Sequence, residues 1–95
     1  MNYIVQKLPA HLFWDSDISR LDDVESYEKI IVRTFERGDL DDMATVMAYY
    51  GDKICSEVLM QANYLPERAK VFATIFLGVE ARLFKSNDVK QHHPL

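Results

Sequence analysis

The sequence predicts an all-α fold: a compact single domain of four main short helices plus a short C-terminal helix, with helix-turn-helix-like packing. Apolar residues recur every three to four positions in four successive segments, as expected for helices that each bury one face. Aspartate, glycine and proline fall at the junctions between these segments, where helices begin and end. With 95 residues, the chain is long enough for one domain, 1–85, which we expect to be followed by a polar tail, 86–95.

The N-terminal segment is the least helical part of the pattern. Residues 1–8 alternate only partly between polar and apolar, which predicts a short extended arm or one edge strand. Pro9 then favours a brief helical turn from Ala10 to Phe13, because proline suits the first position of a helix.

Two long helices follow, from about Asp22 to Arg37 and from about Leu40 to Tyr50. Gly38 lies where a left-handed C-cap belongs. Asp39 and Asp42 have the spacing of a capping box at the start of the second of these helices. The residues expected to be buried are Val24, Tyr27, Ile30, Ile31, Thr34, Phe35, Leu40, Met43, Ala44 and Met47.

The second half of the chain predicts two further helices and a short final one. Asp52 is expected to cap a helix from Lys53 to Ala62, and Pro66 to start another that ends at Gly78. A last short helix covers about Glu80 to Phe84. The predicted core residues here are Ile54, Cys55, Val58, Leu59, Ala62, Ala69, Phe72, Ala73, Phe76 and Leu77.

The charge is unevenly distributed along the chain. The net charge of −4 divides into −5 over residues 1–50 and +1 over residues 51–95. A nucleic-acid-binding module normally carries a basic stripe, and none is present, so nucleic acid is a disfavoured partner. The acidic half could instead meet a basic protein surface, although a solvated acidic face is the commoner explanation.

The composition also indicates in which cellular compartment the protein is expected. No apolar run approaches the roughly 20 residues that a membrane span needs, and the first seven residues lack a signal peptide's apolar stretch. One cysteine cannot form a disulfide framework. We therefore expect a cytoplasmic protein with no membrane partner.

Few side chains are candidates for catalysis or metal binding. Cys55 lies on the buried stripe of its helix, far in sequence from any histidine that could act as a base. His11, His92 and His93 do not have the spacing of a metal site. We therefore expect no catalytic residue, no cofactor, no metal and no small-molecule ligand.

One alternative is a helix-turn-helix regulator that binds the DNA of its own operon. The third and fourth helices are separated by the turn 63–65, and Arg68 and Lys70 lie near the start of the would-be recognition helix. Glu67 and the acidic preceding helices argue against this reading.

Apolar residues left over outside the core stripes favour a protein interface. Val71 and Ile75 lie opposite the core stripe of the fourth helix. Outside the core stripes of their helices lie Val46 and Tyr49 on the second and Met60 on the third. Such residues mark either an exposed interface patch or helices packed within the fold on both sides.

Several segments resemble an uncharacterised family of small bacterial proteins over roughly residues 8–80. Similar proteins often carry Trp where this chain has Asp23 and Met43. The segments that carry the resemblance are Leu8–Asp17, Leu21-Asp22, Ile30–Arg33, Glu36–Asp39, Tyr50-Gly51 and Leu65–Arg68.

The resemblance implies a partner, because members of that family are often encoded beside nucleotidyltransferase-type toxins of the abortive-infection kind. It implies an antitoxin-like or accessory role rather than an enzyme, and it supplies no catalytic or binding residues to carry over. We expect Phe13 and Trp14 to be a buried plug, with Asp15 capping a helix or pairing with Arg33 or Arg37. The resulting hypothesis is a non-enzymatic protein-interaction module whose partner is such a toxin or a second copy of the chain.

Overall fold

The computed structural model describes residues 3–87, and within this range the chain forms helices and turns but no strand. The all-α prediction with four main helices is confirmed. The α-helices are α1 (Tyr3–Lys7), α2 (Tyr27–Arg37), α3 (Leu40–Tyr50), α4 (Asp52–Gln61) and α5 (Glu67–Leu77), and single 3₁₀ turns cover Ala10–Phe13, Ile18–Arg20 and Ala81–Leu83.

Helix α2 is the centre of the fold. It packs against α3, α4, α5 and the turn Ala10–Phe13. Ile30, Ile31 and Phe35 are fully buried, as predicted. Burial of each such side chain contributes about 1.5–3 kcal/mol to the stability of the fold. Helix α2 therefore supplies much of the hydrophobic stabilisation of the core.

The junction between α2 and α3 confirms one prediction and corrects another. The Asp39 carboxylate accepts a hydrogen bond from the Asp42 N–H at 2.9 Å, and the Asp42 carboxylate accepts one from the Asp39 N–H at 3.0 Å, which is the predicted capping box. Gly38 is not a left-handed cap, because its backbone is extended (φ −77°, ψ 169°). A Cβ atom at Gly38 would lie 2.7 Å from the Thr34 carbonyl oxygen, so close backbone approach makes glycine necessary here.

The later helix boundaries differ from the prediction by about one residue. Gly51 alone joins α3 to α4, and its φ of 92° lies in the region that favours glycine. Asp52 is consequently the first residue of α4 rather than its cap. Pro66 directly precedes α5, and Gly78 directly follows it.

The N-terminal segment is a helix, so the predicted extended arm or edge strand is wrong. Ile4 and Val5 of α1 are buried, and the Asp23 carboxylate accepts hydrogen bonds from both of their backbone N–H groups. Helix α2 begins at Tyr27, later than predicted. The carboxylate of Asp22 instead caps a separate turn that precedes α2.

Some residues that we predicted to be buried are exposed. Val24 precedes α2, and Leu40 is the first residue of α3, so neither lies within the packed middle of a helix. Phe76 stacks on Phe72 at the surface, with ring centroids 5.7 Å apart. The exposed residues among those predicted to be buried are Val24, Leu40, Ala44, Ile54 and Phe76.

The C-terminal part of the described chain is packed. Phe84 and Ser86 are buried, and the Asn87 side-chain amide donates a hydrogen bond to the Ala81 carbonyl at 2.7 Å. Ser86 and Asn87, the predicted start of the polar tail, therefore belong to the folded part. The rest of that tail, with His92 and His93, lies outside the described residues.

None of the helices within residues 3–87 combines the length and the apolar character that a membrane span requires.

Candidate functional site

The five predicted interface residues do not form one surface. Val46 is fully buried, so the prediction that it lies outside the core is wrong: α3 turns Val46 inward beside Met43. Met60 is half-buried and packs against the core. The remaining three, Tyr49, Val71 and Ile75, are exposed by 44%, 44% and 63%.

Val71 and Ile75 lie one turn apart on α5 and define a surface that we call the α5 face. Both residues line an open depression of about 410 Å³, together with Lys70 and Asn87. The Lys70 ammonium donates a hydrogen bond to the Asn87 side-chain oxygen. The α5 face is therefore a small apolar patch whose neighbouring cation already has a partner in the fold.

The two predicted DNA contacts are used inside the protein. Lys70 is only 7% exposed, so its predicted exposure is wrong. Arg68 donates hydrogen bonds to the backbone carbonyl groups of Phe35 and Gly38 and thereby ties α5 to the end of α2. Its guanidinium also lies 5.0 Å from the ring centroid of Phe72. Both side chains have structural partners, which accounts for their presence without DNA.

Tyr49 belongs to a different surface, which is organised by a buried carboxylate. Asp23 is 1% exposed and accepts hydrogen bonds from the N–H groups of Ile4 (2.9 Å) and Val5 (3.2 Å). The Tyr49 hydroxyl donates to the same carboxylate at 3.3 Å, and the Tyr50 hydroxyl donates to the Asp23 carbonyl at 2.6 Å. Asp23 thus holds the start of α1 and the end of α3 together.

Aromatic rings pack beside one another around this carboxylate. The Tyr49 and Tyr50 rings meet edge to face with centroids 4.9 Å apart, Tyr3 stacks on Tyr49 at 5.8 Å, and Tyr27 lies 6.4 Å from Tyr50. Desolvation, aided by the negative charge of Asp23, raises the pKa of both Tyr49 and Tyr50. The hydrogen bonds to Asp23 and the edge-to-face contact between the two rings position both tyrosine side chains.

These rings form one end of a groove between α2 and α4. Open depressions of about 420, 440 and 250 Å³ adjoin one another along this helix pair, because neighbouring depressions share lining residues. Ile54 and Val58 of α4 provide aliphatic walls, and Glu28 and Glu57 provide acidic ones. We call this surface the tyrosine groove and define it by Tyr27, Glu28, Tyr49, Tyr50, Ile54 and Glu57.

A third feature lies on another side of α2. Phe13 is buried as predicted, but Trp14 is 66% exposed, so the predicted plug is half wrong. The guanidinium groups of Arg33 and Arg37 lie 5.8 and 5.9 Å from the Trp14 ring centroid. Asp15 forms the predicted ion pair with Arg33, with Nη1 and Oδ1 2.9 Å apart. Hydrogen bonding to Arg33 holds the pKa of Asp15 well below its usual range.

The remaining candidate groups are placed as follows. Cys55 is buried, and desolvation raises the pKa of its thiol to about 12, which disfavours the reactive thiolate. His11 is exposed. Within residues 3–87, no group of three or more His, Cys, Asp or Glu side chains is arranged to hold a metal ion.

Sequence reasoning missed Asp23 and most of the tyrosine groove. A signal for the tyrosines exists: helices joined by a short turn run antiparallel, which brings Tyr27 at the start of α2 near Tyr49 and Tyr50 at the end of α3. Asp23 has no such signal, because its partners in α1 lie 18 and 19 residues away in a segment without helical periodicity.

The comparisons with known proteins identify a family without an assigned activity. A model of a family of unknown function, DUF6922, matches residues 8–59, which is more than half of the chain. No match was found among curated proteins or among solved structures. The matched segment contains every residue that defines the tyrosine groove and none of α5. The chain therefore belongs to the family of unknown function DUF6922.

Proposed function

We propose that the chain is a non-enzymatic protein-interaction module, an antitoxin-like or accessory partner of a nucleotidyltransferase-type toxin. The tyrosine groove carries this proposal. It presents exposed aromatic and aliphatic side chains on a surface that lies within the segment matched by the family model. Tyrosine is enriched among the residues that dominate binding energy at protein interfaces.

The groove is organised before a partner arrives. The hydroxyl groups of Tyr49 and Tyr50 are held by Asp23, and their rings pack against each other. Because these side chains are already hydrogen-bonded and packed, they lose little further conformational entropy when a partner docks against them. This preorganisation favours a recognition role for the tyrosines beyond their contribution to packing.

The type of partner comes from the resemblance, which implies a neighbouring nucleotidyltransferase-type toxin. The acidic first half of the chain suits a basic partner surface, since residues 1–50 carry a net charge of −5. A non-catalytic role is supported by the burial of Cys55 on the inner face of α4. Nothing in the geometry of Arg68 and Lys70 favours the DNA-binding alternative, since both side chains have partners in the fold.

Co-expression tests this proposal directly. The resemblance implies that a nucleotidyltransferase-type toxin is encoded beside the chain. The chain is produced together with that toxin, and the two are expected to co-purify at low salt while toxicity falls. Replacing Tyr49 and Ile54 together by Ala should abolish both effects, whereas Ile75→Ala on the α5 face should preserve them. All variants are compared by thermal melting to confirm that they fold.

Separate elution of the two proteins, with toxicity unchanged, would contradict the proposed role. Light scattering of the chain alone distinguishes self-association. A dimer that dissociates on substitution of Tyr49 and Ile54 would assign the groove to a second copy of the chain instead of a toxin.

A further inference from the structure

We infer that the tyrosine groove receives a basic amphipathic segment of its protein partner, with Arg or Lys side chains on the acidic walls and apolar side chains on the aliphatic ones. This inference rests on the proposed interaction role and specifies the chemistry of the partner. The aromatic rings, the free carboxylates and the dimensions of the groove each support it.

The aromatic end of the groove suits cations. The Tyr49 hydroxyl donates to Asp23, and the Tyr49 side chain, although Tyr3 stacks on its ring, is 44% exposed and contributes ring surface to the groove. A guanidinium or ammonium over a tyrosine ring is attracted by the negative face of the ring. The same molecule already contains this contact, since the Lys7 ammonium lies 4.9 Å from the Tyr3 ring centroid.

The carboxylates of Glu28 and Glu57 are available to a partner. Neither forms an ion pair or a side-chain hydrogen bond with any residue in the range 3–87. Elsewhere in the fold the acidic side chains Asp15 and Glu36 both pair with Arg33. In the described part of the chain, the lining of the groove contains two glutamates and no lysine or arginine, so it is complementary to a basic segment.

The groove has the length of a short helix. Ile54, Glu57, Val58 and Gln61 have the spacing of one face of α4 and line the groove together. At 1.5 Å per residue this face is about 10 Å long, which matches about two turns of a docked helix. On this face Glu57 lies between the aliphatic side chains of Ile54 and Val58, and Glu28 of α2 lines the same depression. This combination favours a partner helix with basic and apolar residues on one side.

Peptide binding tests the inference without the toxin. The probe is a fluorescein-labelled helical peptide of about 14 residues, or four turns, made of Leu and Arg at helical spacing. Its counterpart carries Glu in place of every Arg. In fluorescence anisotropy at about 50 mM NaCl, the Arg peptide is expected to bind and the Glu peptide is not.

Charge reversal in the protein locates the site. The double variant Glu28→Lys/Glu57→Lys should weaken binding of the Arg peptide at least about tenfold, because two attractions become repulsions. Glu67→Lys is the matched control: Glu28 and Glu67 both lie in the first turn of an 11-residue helix, so the cost to the helix is similar. The control variant should bind within about twofold of the unaltered protein. If the double variant fails to fold, Glu28→Gln/Glu57→Gln replaces it.

Two results would overturn the inference: equal binding of the Glu peptide, or equal weakening by Glu67→Lys and by the double variant. If the Arg peptide binds but the toxin does not co-purify, the inference that the groove receives a basic segment stands, and the toxin is rejected as the partner. If the toxin still co-purifies after charge reversal at Glu28 and Glu57, the proposed interaction role stands, and the inference that a basic segment occupies the groove is rejected.

Discussion

The tyrosine groove and the α5 face are both exposed apolar surfaces, yet they are built differently. The rings of the groove are fixed by Asp23, and its glutamates have no partner among residues 3–87. Within the described range, the depression on the α5 face also contains a glutamate, Glu67, but unlike the groove it contains a lysine as well, Lys70, which is hydrogen-bonded to Asn87. An exposed apolar side chain is thus a weak sign of function by itself, and the polar groups around it distinguish the two surfaces.

Each surface depends on one polar side chain that joins distant segments. The Asp23 carboxylate connects the start of α1 with Tyr49 at the end of α3, and Arg68 connects α5 with the end of α2. Asp23 is buried, whereas Arg68 is exposed and its hydrogen bonds to the backbone are only partly buried. The groove should therefore be the more sensitive of the two to loss of its anchor.

Removal of Asp23 should have the largest effect on the protein. Asp23→Ala removes the carboxylate that accepts hydrogen bonds from the N–H groups of Ile4 and Val5 and from the hydroxyl of Tyr49. We expect a loss of about 3 kcal/mol in the free energy of unfolding, measured by urea denaturation. The control is Asp17→Ala, because the exposed Asp17 carboxylate accepts hydrogen bonds from nearby Ser19. This substitution should lower the free energy of unfolding much less.

Asp23→Asn refines this test. The amide keeps one acceptor oxygen for α1 but loses the second, so about half of the destabilisation is expected. If Asp23→Ala costs less than about 1 kcal/mol, Asp23 does not organise the groove and the comparison of anchors fails.

Arg68→Ala should have the second-largest effect. Two hydrogen bonds to backbone carbonyl groups are lost, together with the contact over Phe72. We expect a loss of about 1.5 kcal/mol by urea denaturation, with Arg68→Lys recovering less than half of it because lysine lacks the forked donor geometry. Equal or greater destabilisation than Asp23→Ala would reverse the order of the two anchors.

The fold could be predicted from the sequence because its signals are local. The capping box of Asp39 and Asp42, the glycine at position 51 and the apolar period of α2 each act within a few residues. The conformation of residues 3–7 could not be predicted, because this helix is held by Asp23 through hydrogen bonds to a distant part of the chain. The helix propensity of the residues themselves does not predict such a tertiary contact.

The candidate site was predicted less well than the fold. Helical periodicity separates two sides of a helix, but it does not show which neighbouring helix covers the outer side. Periodicity therefore predicts Val46 outside the core and Ile54 inside it, whereas in the packed structure of α3 against α4 Val46 is buried and Ile54 is exposed. Tyr49 was identified as exposed, but its connection to Asp23 depends on tertiary geometry.

Isoleucine truncation compares the two surfaces with the same chemistry. Ile54→Ala in the groove and Ile75→Ala on the α5 face each remove an exposed side chain, so stability should change by less than about 0.5 kcal/mol in both. Binding of the Arg peptide, measured by anisotropy, should weaken about fivefold with Ile54→Ala, since about 1 kcal/mol of apolar burial is lost. Ile75→Ala should leave it unchanged. The reverse pattern would move the binding site to α5.

The ion pair beside Trp14 should give the smallest effect, and one that depends on pH. Arg33 lowers the pKa of Asp15, so the folded chain binds fewer protons at this carboxyl than the unfolded chain does. The pair therefore stabilises the fold above the ordinary aspartate pKa near 3.9, and this contribution is lost as the pH falls below it. Urea denaturation should show Asp15→Asn to be less stable than the unaltered protein at pH 6.5, with the difference shrinking below about pH 4. Because Asp17 and Asp22 also have lowered pKa values and are present in both proteins, the difference isolates Asp15. A constant difference across this range would mean that Asp15 acts through packing rather than charge. Peptide binding to the tyrosine groove should be the same in both proteins, because Arg33, which pairs with Asp15, lies on another side of α2 from the groove.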